Sequence, residues 1–238
     1  MPGPYVFVGH SLGGAYASAY RADHPDSVVG MVLVDPSPSD PDSLKRMGVS
    51  RFAAEASRMA LRLAPLLARV GIHLMADGIK KTASGLPPDI LEEGARLWRT
   101  PSRLDPVRDE LLAMPRLLSE VGSPALGAIP LVVLGSDQPP PGQSMEMDVW
   151  RGYHETAAAT SSRGDYRTIH GSNHFSIVTD HRHALEVVQA ILDVLQEAEA
   201  LSKASAPDPR SLAQTRYSNH PSALTNMIPA RRHAACCR

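Results

Sequence analysis

A serine near the start of the chain lies within the glycine-rich run Gly9-His10-Ser11-Leu12-Gly13-Gly14. A serine hydroxyl is a poor nucleophile unless a tight strand-to-helix turn presents it to a base. Such a turn strains the serine backbone, and we expect Gly9 and Gly13 to remove the collision between strand and helix. The turn also aims the Leu12 N–H, near a helix N-terminus, at a developing oxyanion. The run therefore predicts Ser11 as the attacking group and Leu12 as an oxyanion donor.

The sequence on either side of this run supplies the strand and the helix that the turn requires. Tyr5–Val8 is a short apolar run, typical of a strand that is buried on both faces. The small residues from Leu12 to Tyr20 predict a closely packed helix. Three further strands are predicted over Val28–Val34, Ile129–Leu134 and Tyr166–Ile169. Because helical stretches separate the strands, the sequence predicts an α/β fold with a parallel sheet.

The segment Val-Gly-His-Ser-Leu-Gly-Gly at 8–14 resembles the nucleophile elbow of the α/β-hydrolase superfamily. The resemblance extends from about Tyr5 to Leu201, and it implies that the four strands are the fifth to eighth of that family's sheet. It also implies a hydrolase that cleaves a carboxylic ester or thioester with a Ser-His-Asp triad, through an acyl-enzyme. Dehalogenases and epoxide hydrolases of this fold carry Asp in place of Ser11, so both are disfavoured.

The resemblance selects the base by its place in the chain. The family order is Ser, then acid, then His, and His174 follows the last predicted strand just before the final helix, over Arg182–Leu201. His170 competes with it, but it ends the strand and is more typical of a structural histidine. His10 adjoins the nucleophile and is expected to shape the pocket.

Two aspartates compete for the role of the acid. Asp137 follows the third strand, which is the commonest position in the family, and we favour it. It falls one residue early for the usual Gly-x-x-Asp pattern, so Asp35, at the end of the second strand, stays open. If Asp137 is the partner, it should be buried and hydrogen-bonded to His174.

The chain divides by composition into three parts. Residues 1–36 and 125–201 form the predicted hydrolase core, and 37–124 form a mostly helical cap that is too long for a simple connection. Prolines within the cap, including Pro65, Pro106 and Pro115, are expected to break its helical runs. Residues 202–238 are rich in Ser, Ala, Pro and Arg and predict a disordered tail.

Composition excludes several other functions. The net charge of −1 provides no field to attract nucleic acid or an anionic membrane. The two cysteines, Cys236 and Cys237, are adjacent, so neither a disulfide framework nor a zinc site is predicted. No apolar run reaches the roughly 18–20 residues that span a bilayer, and we expect a cytoplasmic protein. The expected partner is a small-molecule ester or thioester, with no metal or organic cofactor.

Only eight residues precede Gly9, whereas the family places four strands before its elbow. We therefore expect that the N-terminal third is missing, together with the loop that supplies the second oxyanion donor. Tyr5–Val8 would then be an apolar sheet edge that invites pairing with another chain. Two alternatives follow: a catalytically inert remnant, or an acyltransferase or perhydrolase that uses the same triad.

Overall fold

The computed structural model describes residues 3–38, 46, 51–72, 82–83, 85–141 and 145–205. Within this part of the chain, the centre is a four-stranded sheet in the order β1-β2-β3-β4, with every neighbouring pair parallel. The strands are β1 (Tyr5–His10), β2 (Val28–Val34), β3 (Gly127–Ser136) and β4 (Ser161–Ile169). The predicted α/β fold with a parallel sheet is confirmed.

Seven helices lie in the described part of the chain. They are α1 (Leu12–Asp23), α2 (Arg51–Arg69), α3 (Pro88–Trp98), α4 (Pro101–Val121), α5 (Met147–Ala158), α6 (Ser176–Thr179) and α7 (His181–Ser205). Helices α1 and α5 connect strands of the sheet, while α2, α3 and α4 lie in the long connection between β2 and β3.

Alternate residues of the central strands pack on opposite faces of the sheet. Met31 and Leu33 of β2 join a core with α1 and α5, whereas Val32 and Val34 join a second core with α7. Residues of a strand point alternately to its two faces, so a strand covered by helices on both sides must be apolar throughout. This explains the unbroken apolar run of β2, and the pairing of the strands brings the carboxyl ends of β1, β2 and β3 side by side. The prediction that Tyr5–Val8 is buried on both faces is wrong, because these residues of β1 are only partly buried and Val8 is 48% exposed.

The turn between β1 and α1 has the strained form that the sequence predicts. Ser11 has a positive φ of 55°, a region that non-glycine residues rarely adopt. A Cβ at Gly9 would lie 2.6 Å from the backbone carbonyl carbon and oxygen of Gly13, so only glycine fits there. The expectation for Gly13 is wrong, because a Cβ there would meet nothing within 4 Å. Gly14 is the second tight position, because a Cβ added there would lie 3.1 Å from the Pro36 Cβ.

The described part of the connection between β2 and β3 is mostly helical, and three of its prolines lie inside helices. Pro65 lies inside α2, and Pro106 and Pro115 lie inside α4. The expected breaks at these three positions are therefore wrong. Each proline removes one backbone hydrogen bond from its helix. Helices α2 and α4 pack against each other, and this contact is consistent with both helices continuing despite the missing hydrogen bonds. That residues 37–124 act as a cap stays a prediction, and 39–45, 47–50, 73–81 and 84 lie outside the described residues.

The chain divides into two units, Met1–Ala200 and Leu201–Arg238. The first contains the sheet and nearly all of the helices. Of the second, only 201–205 are described, as the end of α7, so the start of the predicted tail, 202–205, is helical. The rest of the predicted tail and both cysteines lie outside the described residues. Across the described part of the chain, no helix combines the length and the apolar character needed to cross a membrane.

Gly9→Ala should destabilise the fold, because its Cβ would overlap the backbone of Gly13 and a rigid backbone cannot give way. Overpacking of this kind costs about 1–3 kcal/mol of the free energy of unfolding, which urea titration would measure. Gly13→Ala is the matched control four residues away. It should leave stability unchanged or raise it by up to about 1 kcal/mol. Equal destabilisation by the two variants would contradict the proposed contact.

Candidate active site

Ser11 stands where β1 ends and α1 begins. Its backbone N–H donates to the carbonyl of Val34, 3.0 Å away, which ties the turn to the end of the neighbouring strand. The Ser11 carbonyl accepts from the Gly14 N–H at 3.1 Å. Leu12 is the first residue of α1, so its N–H is among those that have no acceptor within the helix. The geometry thus presents a hydroxyl and a helix N-terminus at the same end of the sheet.

His174 reaches this turn from the loop between β4 and α6. Its Nε2 lies 3.0 Å from the Ser11 Oγ, although 163 residues separate the two in sequence. Its Nδ1 lies 2.7 Å from the Asp35 Oδ2. The structure therefore brings together the predicted serine and histidine, and it places Asp35 on the far side of the imidazole. A carboxylate on one ring nitrogen and a hydroxyl on the other form the hydrogen-bonded chain of a nucleophilic triad.

Asp35 is completely buried at the end of β2, with a positive φ of 44°. Its Oδ1 accepts hydrogen bonds from the Ser136 N–H at 2.7 Å and from the Trp150 indole N–H at 3.1 Å. Burial alone would raise the pKa of Asp35, but the hydrogen bonds from His174 and Ser136 hold this pKa below its ordinary value. The carboxyl group is therefore ionised at neutral pH, as a partner of His174 must be.

Among the described residues, Asp137 makes no hydrogen bond to His174, so the predicted pairing of these two residues is wrong. Its Oδ2 lies 3.0 Å from the Nδ1 of His170, and its Oδ1 accepts from the Gly171 N–H at 2.8 Å. Its own backbone N–H donates to the Ser172 carbonyl at 3.2 Å. Asp137 therefore holds the loop that carries His174, and its carboxylate faces the exposed His170 and not the half-buried His174.

His10 supports the backbone of His174. Its Nε2 lies 2.8 Å from the carbonyl oxygen of His174, so this nitrogen is the one that carries a proton and donates. The two rings are 4.8 Å apart. Burial, followed by the proximity of His174, lowers the pKa of His10, so His10 is neutral at pH 7.

Sequence analysis misses three residues of the site. Trp150 and the backbone of Ser136 hold Asp35, and Ser37 places its Oγ 3.3 Å from the Ser11 Oγ. Their partners are 26 to 115 residues away in sequence, so no local spacing reveals these contacts. Ser37 follows Asp35-Pro36 directly, and that adjacency to a candidate acid is the only sequence hint.

A cavity of about 350 Å³ adjoins the site through Ser37. It runs between α1 and α5, and residues that line it include Gly14, Leu33, Pro124, Tyr153 and Thr160. Ser11 and His174 are not part of its wall. Among the described residues, no three His, Cys, Asp or Glu side chains gather as candidate metal ligands.

Comparisons with known proteins concern the fold of the chain and its family. Solved structures with a similar fold include a candidate lipase from Acinetobacter baumannii, 17% identical with a TM-score of 0.56, over 83% of this chain and 62% of that one. A mutant of the haloalkane dehalogenase DatA from Agrobacterium tumefaciens is 12% identical with a TM-score of 0.55, over 79% and 66% of the two chains. A bromoperoxidase from Bacillus anthracis is 15% identical with a TM-score of 0.55, over 82% and 68%.

At these identities the likeness concerns the fold alone, and this chain spans less than two thirds of the length of the candidate lipase. No curated protein sequence matches the chain. The family model described as the alpha/beta hydrolase family matches residues 1–190, which include all four strands, Ser11, Asp35 and His174. The chain belongs to the α/β-hydrolase family.

Proposed function

We propose that this chain carries the catalytic residues of a hydrolase that cleaves a carboxylic ester or thioester through an acyl-enzyme. The observation that carries the proposal is the continuous chain of hydrogen bonds from Ser11 through His174 to Asp35, with donor–acceptor distances of 3.0 and 2.7 Å. Family membership supports a hydrolase, and the strained turn at Ser11 supports serine as the nucleophile.

Each residue has a defined role in the proposed mechanism. His174 Nε2 removes the Ser11 hydroxyl proton while Ser11 Oγ forms a bond to the acyl carbon, and the carbonyl electron pair moves onto oxygen. The Leu12 N–H, at the N-terminus of α1, stabilises that oxyanion. His174 then returns the proton to the departing alcohol or thiol. Water, activated by the same imidazole, releases the acid and regenerates Ser11.

Asp35, rather than Asp137, is proposed as the acid of the triad. Its bond to Nδ1 fixes the tautomer of His174 that leaves Nε2 free to accept a proton. It also stabilises the imidazolium that forms during the attack. Asp137 is proposed as a positioning residue, since its contacts hold the loop at 170–172 and leave the imidazole untouched.

His154 lies next to Asp35 and must stay neutral for this arrangement to hold. It is fully buried, and its Nε2 lies 3.3 Å from the Pro36 carbonyl, so Nε2 carries the proton. Its Nδ1 has no hydrogen-bond partner among the described residues. Burial is the main cause that lowers the pKa of His154, despite the nearby charge of Asp35. Protonation would leave a second N–H unpaired in the interior.

Ser11→Ala should abolish hydrolysis of a short-chain nitrophenyl ester and of an acyl thioester, because it removes the attacking oxygen. A fluorophosphonate probe, located by mass spectrometry of the labelled peptide, should modify Ser11 in the parent chain and no residue in the variant. Ser119→Ala, at an exposed position of α4, is the control and should behave as the parent. Equal hydrolysis by the parent chain and Ser11→Ala would contradict the assignment.

The same labelling experiment distinguishes the alternatives. A parent chain that folds but neither reacts with the probe nor hydrolyses either ester would be an inert remnant. If alcohol or peroxide captures the acyl group in preference to water, the chain is an acyltransferase or perhydrolase with the same triad.

Asp35→Asn should lower kcat by about 10⁴-fold, because an amide favours the wrong tautomer of the histidine. Asp137→Asn should cause a much smaller loss, since Asp137 acts only on the loop. The ratio of the two kcat values, measured on the same nitrophenyl ester, decides between the two acids. Circular dichroism of both variants checks that each is folded. A larger decrease in kcat for Asp137→Asn than for Asp35→Asn would mean that Asp137 is the acid of the triad.

The stability of the fold should fall as the pH is lowered below about 6.5, the ordinary value for histidine. Because the pKa of His154 is lowered in the folded state, the unfolded chain binds more protons in this range, and protonation favours unfolding. Urea titrations between pH 7.5 and 5 should therefore show that the free energy of unfolding falls less for His154→Gln than for the parent chain. The lowered pKa of His10 also makes the free energy of unfolding fall as the pH decreases.

The control for this experiment is His181→Gln, an exposed position at the start of α7. It should reproduce the pH profile of the parent chain. Parallel profiles for the parent and His154→Gln would mean that the interior accommodates the protonated form of His154.

A further inference from the structure

A second hydroxyl group touches the candidate nucleophile. The Ser37 Oγ lies 3.3 Å from the Ser11 Oγ, and the Ser37 backbone N–H donates to the Ser11 carbonyl at 3.3 Å. Ser37 is therefore attached to the elbow by both its backbone and its side chain. Pro36, which precedes it, is buried and packs against Gly14, so the position of Ser37 is well constrained.

The hydrogen bonds around the triad determine which of the two hydroxyls donates. Asp35 is ionised and can only accept, so the His174 Nδ1 carries a proton. In the neutral imidazole that a base requires, Nε2 then carries none and accepts from the Ser11 hydroxyl at 3.0 Å. The single proton of Ser11 is thus committed to His174. In the contact between the two serines, Ser37 must be the donor.

We infer that Ser37 is a further catalytic residue of the proposed hydrolase, donating a hydrogen bond to the Ser11 Oγ as this oxygen acquires negative charge. The inference rests on the proposed function. As His174 withdraws the proton, and before the bond to the acyl carbon is complete, the Ser11 Oγ holds more negative charge than in the resting enzyme, so a hydrogen bond to it strengthens toward the transition state. Only such a differential interaction accelerates the reaction. Ser37 keeps its own proton throughout.

The test compares Ser37→Ala with Ser37→Thr in the full chain. Ser37→Ala should lower kcat for the nitrophenyl ester by about 10- to 100-fold, the range for one hydrogen bond to a charged group, with KM unchanged. Its rate of labelling at Ser11 by the fluorophosphonate should fall by a similar factor. Ser37→Thr restores the hydroxyl and should recover most of the rate. Ser119→Ala, on the exposed face of α4, should match the parent chain.

Each other outcome overturns the inference in a distinct way. If the parent chain is active and Ser37→Ala has the same kcat, Ser37 plays no part in the reaction and the proposed function stands. If Ser37→Ala raises KM alone, the hydroxyl contacts the bound substrate and not the developing charge. If the parent chain shows neither hydrolysis nor labelling, the proposed function fails and the inference fails with it.

Discussion

The site depends on one buried negative charge. Asp35 is completely shielded from solvent, and an isolated carboxylate in that position would be far too costly to keep ionised. Three donors offset the cost: the Ser136 backbone, the Trp150 indole and the His174 imidazole. They come from β3, α5 and the loop after β4. The carboxylate therefore joins three separate parts of the fold at the end of β2, and the position of His174 follows from it.

Backbone strain is concentrated at the same place. Among the described non-glycine residues, Ser11 and Asp35 are the two that have positive φ, and they follow the adjacent parallel strands β1 and β2. Their backbones are bonded to neighbouring strands, Ser11 N–H to the Val34 carbonyl and Asp35 N–H to the Leu134 carbonyl. A strained conformation persists only where the surroundings fix it. Here β2 and β3, the buried strands to which the two backbones are bonded, supply that support, and both side chains reach His174.

The sequence identified the parts of this site that have a local signature. The glycine-rich run reveals Ser11, because a strand, a turn and a helix must follow one another within a dozen residues. His174 is predicted from the chain order that the resemblance to the α/β-hydrolase superfamily implies. The choice between Asp35 and Asp137 had no local signature, since each aspartate follows a buried strand of the same sheet. The contacts that distinguish them come from partners distant in the chain: Trp150 and His174 bond to Asp35, and Gly171 bonds to Asp137.

The difference between local sequence signatures and contacts distant in the chain also explains the wrong predictions for Gly13 and for three prolines. Gly9 and Gly13 look equivalent in the motif, but only the first meets the opposing backbone, because strand and helix approach each other on one side of the turn. The prolines at 65, 106 and 115 argue locally against a helix, yet each lies inside one. The two helices that contain these prolines, α2 and α4, pack against each other, and tertiary contacts commonly override a local preference.

Three histidines surround the carboxylate, and their environments separate their roles. His10 and His154 are both held neutral, because burial lowers the pKa of each. Each also donates from Nε2 to a backbone carbonyl, so its proton is already committed. Neither therefore adds a positive charge that would oppose an imidazolium on His174. The negative charge of Asp35 is thus directed at the one ring that also touches Ser11, and this is the condition under which a histidine between a carboxylate and a hydroxyl can act as a base.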